Sequence, residues 1–351
     1  MGGVEKNLFI ISNYLANKIA DVCLITASKK YKNKFNKKIE LVLPKLNFWD
    51  KLGRKSKYLI CLFLLFKKVM LKRNFLVLCF QANIYCIILC KILNIKVIAR
   101  SNSSPSGWSK SFLKSLIFKV IFNKADQVLV NSLEFKNQLK NKFNVKAKCI
   151  YNPLDVNEIQ KKSKISSSKI FKSKKSLKII NVGRFAYQKD QITILKALKF
   201  IEKKVKFEAA IVGSGILKNS LVNYTKKNNI YKKIKFINFT SNVYPLIKQA
   251  DIFILSSVYE GLPNVLLEAI TLKKFVISSN CPTGPKEILL NGKGGLLFKI
   301  GDYKELGNKI IYYLNNKKKC KSMLNNSISK LNRFDESLNL KKYLNEIYKL
   351  M

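Results

Sequence analysis

The sequence predicts an α/β protein built as two units, each a parallel sheet with helices on both faces. Short apolar runs of strand length alternate with helix-length segments along the whole chain, a pattern that implies parallel strands joined by crossover helices. A stretch dominated by lysine and serine, residues 161–176, interrupts the alternation and reads as a polar loop or linker. The 351 residues are enough for two domains, each with its own core.

In order, the first half reads as an amphipathic helix at 6–17, a strand at 20–27 and an apolar helix at 57–72. The apolar run at 59–66 is too short to cross a bilayer. The next apolar stretch, 75–90, is broken by Gln81-Ala82-Asn83, so it divides into a strand at 75–80 and a helix after Gln81. Strands are expected at 96–100, 127–131 and 148–151, with a helix at 109–123. The second half is more regular. Its strands fall at 178–182, 206–212, 235–239, 251–256 and 275–279, each followed by a helical segment. The expected division is therefore 1–160, the linker 161–176, and 177–325, with a closing helix in 326–351.

Composition narrows the chemistry. The chain has 67 Lys+Arg against 20 Asp+Glu, a formal net charge of +47. Such a balance suits a polyanion or an anionic membrane, yet the abundance of Lys, Asn, Ile, Phe and Tyr also fits a genome rich in A and T. There is no histidine, which excludes Ser-His-Asp and Cys-His catalysis. The eight cysteines contain no C-x-x-C and lie mostly in apolar segments, so buried thiols of a cytosolic protein are expected rather than zinc ligands. Nucleic-acid binding would need aromatic-basic platforms or a helix-turn-helix, and neither is present in the sequence.

The most informative segment is Glu260-Gly261-Leu262-Pro263-Asn264-Val265-Leu266-Leu267-Glu268. It follows the apolar run 251–257, and Pro263 stands where a first helical residue is expected. Glu260 then lies in a loop at the carboxyl end of a strand, and Glu268 shares a helix face with Asn264. A helix start holds phosphate well. With a carboxylate on either side of it, the arrangement suits a nucleotide-sugar.

This segment resembles the E-x7-E signature of family-four retaining glycosyltransferases, which have the two-domain GT-B fold. The segment 181–190, with Gly183, Arg184, Gln188 and Lys189, is similar to that family's G-R-x-x-x-Q-K segment. Gly213 and Gly215 resemble its second glycine loop, and Gly2 and Gly3 its N-terminal one. The run Cys281-Pro-Thr-Gly-Pro-Lys-Glu287 resembles a subgroup acting in surface-polysaccharide assembly.

The resemblance implies two Rossmann-like domains facing across a cleft, with the closing helix crossing back onto the first. It also implies a strand before the Gly2-Gly3 loop, which the given sequence does not contain; a misplaced start is the expected reason. Arg184 and Lys189 would bind the donor diphosphate and stabilise the departing nucleotide. Glu260 would contact sugar hydroxyls and Glu268 the ribose, with the backbone of 261–265 on the diphosphate. Gly183, Gly213 and Gly215 would line the nucleotide, while Ser101 or Asn102 would touch the transferred sugar.

The implied reaction moves a hexose or N-acetylhexosamine from a nucleotide diphosphate sugar, expected to be a UDP-sugar, to a growing glycan. The acceptor would be polyprenyl-diphosphate-linked, in lipopolysaccharide, capsule, exopolysaccharide or glycoprotein glycan synthesis. No metal and no cofactor beyond the nucleotide-sugar is expected, and no nucleic-acid partner. The enzyme would be cytoplasmic and peripheral on the inner face of the membrane, drawn to its anionic surface. Residues 109–123 are one candidate interfacial helix, although a helix packed on its sheet explains them equally well. The alternatives are a catalytically impaired relative and a basic nucleic-acid-binding protein.

Overall fold

The computed structural model describes residues 3–29, 32–45, 48–49, 52–72, 74–102 and 112–351. The chain forms two compact units, Met1–Pro153 with Glu336–Met351, and Leu154–Asp335.

The first unit opens with α1 (Gly3–Ala16), β1 (Cys23–Ile25) and β2 (Glu40–Val42), then α2 (Arg54–Leu71), β3 (Leu76–Cys79) and α3 (Asn83–Ile92). It continues through β4 (Lys96–Ser101), α4 (Phe112–Asn123), β5 (Gln127–Val130), α5 (Leu133–Phe143) and β6 (Lys148–Cys149). All strand pairs are parallel, but they form two separate sheets, β1–β2 and β3–β4–β5–β6. Strand alternation makes two cores. Val97, Ala99, Val128 and Val130 point toward the helices α2 to α5. Ile98, Leu129 and Ile150 point the other way, toward α1 and the C-terminal helix.

The second unit contains α6 (Val156–Lys162), β7 (Leu177–Val182), α7 (Gln191–Ile201), β8 (Phe207–Val212), α8 (Lys218–Lys227), β9 (Ile234–Ile237) and α9 (Tyr244–Lys248). There follow β10 (Ile252–Leu255), α10 (Asn264–Thr271), β11 (Phe275–Ser279), α11 (Pro285–Ile288), β12 (Leu296–Phe298), α12 (Tyr303–Asn315) and α13 (Lys317–Ser329). One six-stranded parallel sheet runs β12–β11–β10–β7–β8–β9. The order reverses between β7 and β10, so crossover helices leave to opposite sides there and open a crevice at the strands' carboxyl ends.

The boundaries differ from those expected. The division falls after Pro153 rather than after residue 160, because α6 belongs to the second unit. Asp155 caps that helix by accepting a hydrogen bond from the Glu158 N–H at 2.7 Å, and Ile159 is buried. The expected linker 161–176 is fastened to the same unit. Ile170 and Phe171 are buried, and the Glu208 carboxylate accepts from the N–H groups of Lys172 and Ser173 at 2.7 and 2.6 Å. The return to the first unit begins at Glu336, since α13 still packs in the second. The returning helix, α14 (Glu336–Tyr348), buries Leu340, Tyr343 and Ile347 against Ile98, Leu129 and Ile150. Strand β1 is shorter than the expected 20–27, while β2, α5 and β12 were not foreseen.

Candidate functional site

The crevice between β7 and β10 gathers the sequence-predicted residues of the second unit. The ladder pairs Ile252 with Ile179 and Phe253 with Ile180, and the strands part beyond that point. The buried Asn181 bridges the opening by donating from Nδ2 to the Ile254 carbonyl at 2.8 Å. From here the loops after β7 and β10 run side by side, and reciprocal hydrogen bonds lock them together. The Val258 N–H donates to the Gln188 carbonyl at 2.9 Å, and Gln188 Nε2 donates to the Tyr259 carbonyl at 2.9 Å. Ser256 Oγ donates to the Lys189 carbonyl at 2.8 Å.

This frame brings Lys189 and Glu260 together. The Lys189 ammonium lies 2.5 Å from Glu260 Oε1, and the same oxygen accepts from Ser257 Oγ at 2.6 Å. Glu260 is only 6% exposed, so its charge is compensated inside the protein rather than by water. The loop after β11 holds it from the other side. Thr283 Oγ1 donates to the Glu260 carbonyl at 2.6 Å, and Ser279 Oγ to the Ser257 carbonyl at 2.6 Å. Burial, then the nearby Glu260 charge, pushes the Cys281 thiol up to about 12, which favours the protonated form of this buried side chain.

The glycines explain the tightness. Gly213 and Gly215 follow β8 at φ +154° and +153°; a Cβ on Gly213 would stand 1.9 Å from the Gly183 carbonyl oxygen, and one on Gly215 2.3 Å from that of Phe185. No other residue fits either place. Gly183 itself leaves β7 with its N–H donating to the Val212 carbonyl at 3.0 Å.

Helix α10 starts beside this cluster. Pro263 is its N-cap in extended conformation rather than its first residue, so Asn264 opens the helix. A proline at the cap gives no side-chain hydrogen bond, and its ring fixes the chain direction into the helix. Gly261, Leu262 and Pro263 are buried, and Asn264 and Val265 are half-buried. Glu268, also 6% exposed, accepts from the Tyr244 hydroxyl at 3.3 Å.

The remaining expected residues lie elsewhere. Arg184 is exposed, on the loop that carries Lys189. Gly2 falls outside the described residues, and Gly3 is the first residue of α1 rather than part of a loop, with Glu5 favouring the helix start. Ser101 is buried at the end of β4. Asn102 uses both ends of its amide within the first unit: Oδ1 accepts from Arg100 Nη1, and Nδ2 donates to the Phe80 carbonyl at 2.8 Å. These contacts fix the Asn102 amide at the end of β4. Arg100 is 1% exposed, and also donates to Tyr343 Oη at 2.6 Å and Asn152 Oδ1 at 2.8 Å, so it anchors α14. Sequence reasoning missed Ser257, Thr283 and Tyr244, since one hydroxyl among many carries no signal until the loops meet.

Residues 162–330 match the family described as glycosyl transferases group 1. Over 206 residues the chain is 32% identical to an uncharacterized glycosyltransferase, MJ1059, of Methanocaldococcus jannaschii, covering 56% of this chain and 51% of the relative. It is 24% identical over 229 residues to a Campylobacter jejuni N-acetylgalactosamine-N,N'-diacetylbacillosaminyl-diphospho-undecaprenol 4-alpha-N-acetylgalactosaminyltransferase, covering 64% of this chain and 61% of the relative. The chain thus spans roughly half the length of these curated relatives. Among solved structures it is similar to Anabaena Alr3699/HepE in complex with UDP, with a TM-score of 0.78 at 18% identity, covering 99% of this chain and 96% of that one. That likeness extends over both Rossmann-like units, and the fold is GT-B. The family match therefore falls on the second unit, the one that carries the crevice between β7 and β10.

Proposed function

We propose that this chain is a retaining glycosyltransferase that moves a hexose or N-acetylhexosamine from a UDP-sugar to a lipid-linked glycan in cell-surface polysaccharide or glycoprotein glycan synthesis. The observation that carries the reading is the Lys189–Glu260 pair at the reversal of strand order, beside the start of α10. Breaking a sugar–diphosphate bond builds negative charge on the departing phosphate, and a fixed ammonium in a water-poor crevice stabilises it best. Glu260 holds that ammonium in place and offers its second oxygen to sugar hydroxyls. Arg184 supplies a further mobile cation, and Gly183, Gly213 and Gly215 let backbone approach the nucleotide. Glu268 takes the ribose. The UDP bound to the Anabaena structure and the diphospho-undecaprenol in the Campylobacter relative's name support the donor and acceptor classes. A lipid-linked acceptor would carry the reaction to the inner face of the cytoplasmic membrane.

The direct test incubates the chain with UDP-sugars and undecaprenyl-diphosphate-linked saccharides, following UDP release and the anomeric proton of the product by NMR. Acceptor-dependent release with retained configuration is expected. An inverted product would overturn the retaining assignment, and no release with any nucleotide-sugar would overturn the activity. With cations doing the neutralising, turnover should survive EDTA. Activity lost to EDTA and restored by manganese would sink the metal-free reading.

A further inference from the structure

The outer side of the helical layer in the first unit is apolar, which is unusual for a helix layer facing away from its core. Helices α2, α3 and α4 give Val69, Cys86, Ile87, Cys90 and Phe122 to one core, shared with Val97, Ala99, Val128 and Val130 of the sheet. Their other sides present exposed apolar residues among those described. Val69 is the one buried residue of the 18-residue α2. Leu59 at 68% exposure, Phe63 at 50%, Phe66 and Met70 recur at spacings of four, three and four, which puts them in a single stripe. Ile88 and Ile92 extend the exposed apolar surface onto α3, and Ile117 and Val120 onto α4. Scattered apolar residues on a surface mean little, but a contiguous patch marks a docking site.

Charge identifies the occupant. None of the three helices contains an aspartate or glutamate, whereas α2 carries Arg54, Lys55, Lys57 and Lys67 besides Lys68, which is paired with Glu40 of β2, and α4 carries Lys119. The Lys67 ammonium sits 4.7 Å from the centre of the exposed Phe63 ring, so cation and aromatic occupy the same strip. A second copy of the chain would set lysine against lysine, since the neighbouring Glu40 and Asp126 carboxylates are already paired with Lys68 and Lys91. A surface of apolar acyl chains under a layer of phosphates matches both features. Among the described residues no helix is long and apolar enough to cross a membrane, so the contact would run along it.

We propose that the α2–α3–α4 face is a docking surface for an anionic phospholipid bilayer, with the apolar stripe at the acyl boundary and the basic residues at the phosphates. This surface lies in a different unit from Lys189 and Glu260, and its test needs no turnover. The full chain would be floated with vesicles of phosphatidylcholine alone and with 30% phosphatidylglycerol, at low and high salt. Selective, salt-sensitive binding to the anionic vesicles is expected. The variant Leu59→Gln/Phe63→Gln/Ile117→Gln changes only exposed side chains, and should lower the vesicle partition coefficient at least tenfold while leaving the far-UV circular dichroism and melting temperature unchanged. Because a chain of net charge +47 binds anions diffusely, the control is Lys317→Glu/Lys318→Glu/Lys319→Glu, on exposed positions of α13. The control should bind within about twofold of the wild type. Equal loss in the two variants, no loss in the apolar variant, or no vesicle binding at all would overturn the proposal. So would concentration-dependent self-association that the apolar variant abolishes while vesicle binding persists.

Discussion

The two units use the same alternation of strand and helix but differ in the continuity of their sheets. The second has six strands in one ladder, and β10 and β11 are buried along their whole length. The first splits into two strands and four, and β1 and β2 contain no fully buried residue. A strand held on both edges has its end fixed in position, and the loop that follows inherits that precision. Accordingly the loops after β7, β8, β10 and β11 interlock around Lys189 and Glu260. At the end of β4 the comparable polar residues, Arg100 and Asn102, are occupied in holding α14 and β3. The units differ outside as well. The apolar stripe of α2 is exposed in the first, while Lys317, Lys318 and Lys319 face solvent on α13 in the second.

The largest effect should come from removing the charge that the second unit positions. Lys189→Ala is expected to lower turnover by roughly a hundredfold or more, as when one preorganised charge stabiliser is lost. Its far-UV circular dichroism should match the wild type. Wild-type UDP release in this variant would remove Lys189 from the proposed diphosphate site, and with it the contrast between the two units.

A smaller effect compares one glycine from each unit. Gly213→Ala should destabilise the second unit by about 1–3 kcal/mol from its backbone conformation alone, with the overlap at the Gly183 oxygen adding to it. Gly53 of the first unit has φ −64° and nothing within 4 Å of its Cβ position. Gly53→Ala should therefore be neutral or stabilising by up to about 1 kcal/mol. Denaturant midpoints read both, and equal shifts would show that the loop after β8 is looser than its geometry implies.

The smallest effect concerns pH and belongs to the first unit. Burial alone would raise the Asp126 carboxyl, but the Lys91 ammonium and the Val97 N–H, each at 2.7 Å, outweigh it and hold the group below its usual value. Burial is likewise outweighed at Glu346 by Lys148 and Lys349. Both folded-state values lie below the unfolded ones. Their stabilisation is therefore complete above the unfolded carboxylate range, about pH 4, and is lost as pH falls through the lowered values. Urea midpoints between pH 6 and pH 3 should fall less for Asp126→Asn and Glu346→Gln than for the wild type. Parallel profiles would mean that these pairs contribute nothing to the acid sensitivity of the first unit.

Much of this protein follows from local pattern. The strand–helix alternation, the loop that begins at Gly183 and the helix after Pro263 are all visible in short windows, because hydrophobic period and backbone sterics act over a few residues. Gly213 and Gly215 could be marked as special, although the carbonyl oxygens that demand them belong to another loop. Tertiary structure decided the rest. Lys189 and Glu260 are 71 residues apart, and they pair because strand order sets β7 beside β10. Arg100 could have faced a ligand or the core, and Tyr343, 243 residues away, settles it for the core. The division at Pro153, the fastening of 163–176 and the return of α14 also depend on distant partners. A sequence window records which residues prefer to be buried, but which buried surfaces meet is settled only when the whole chain packs.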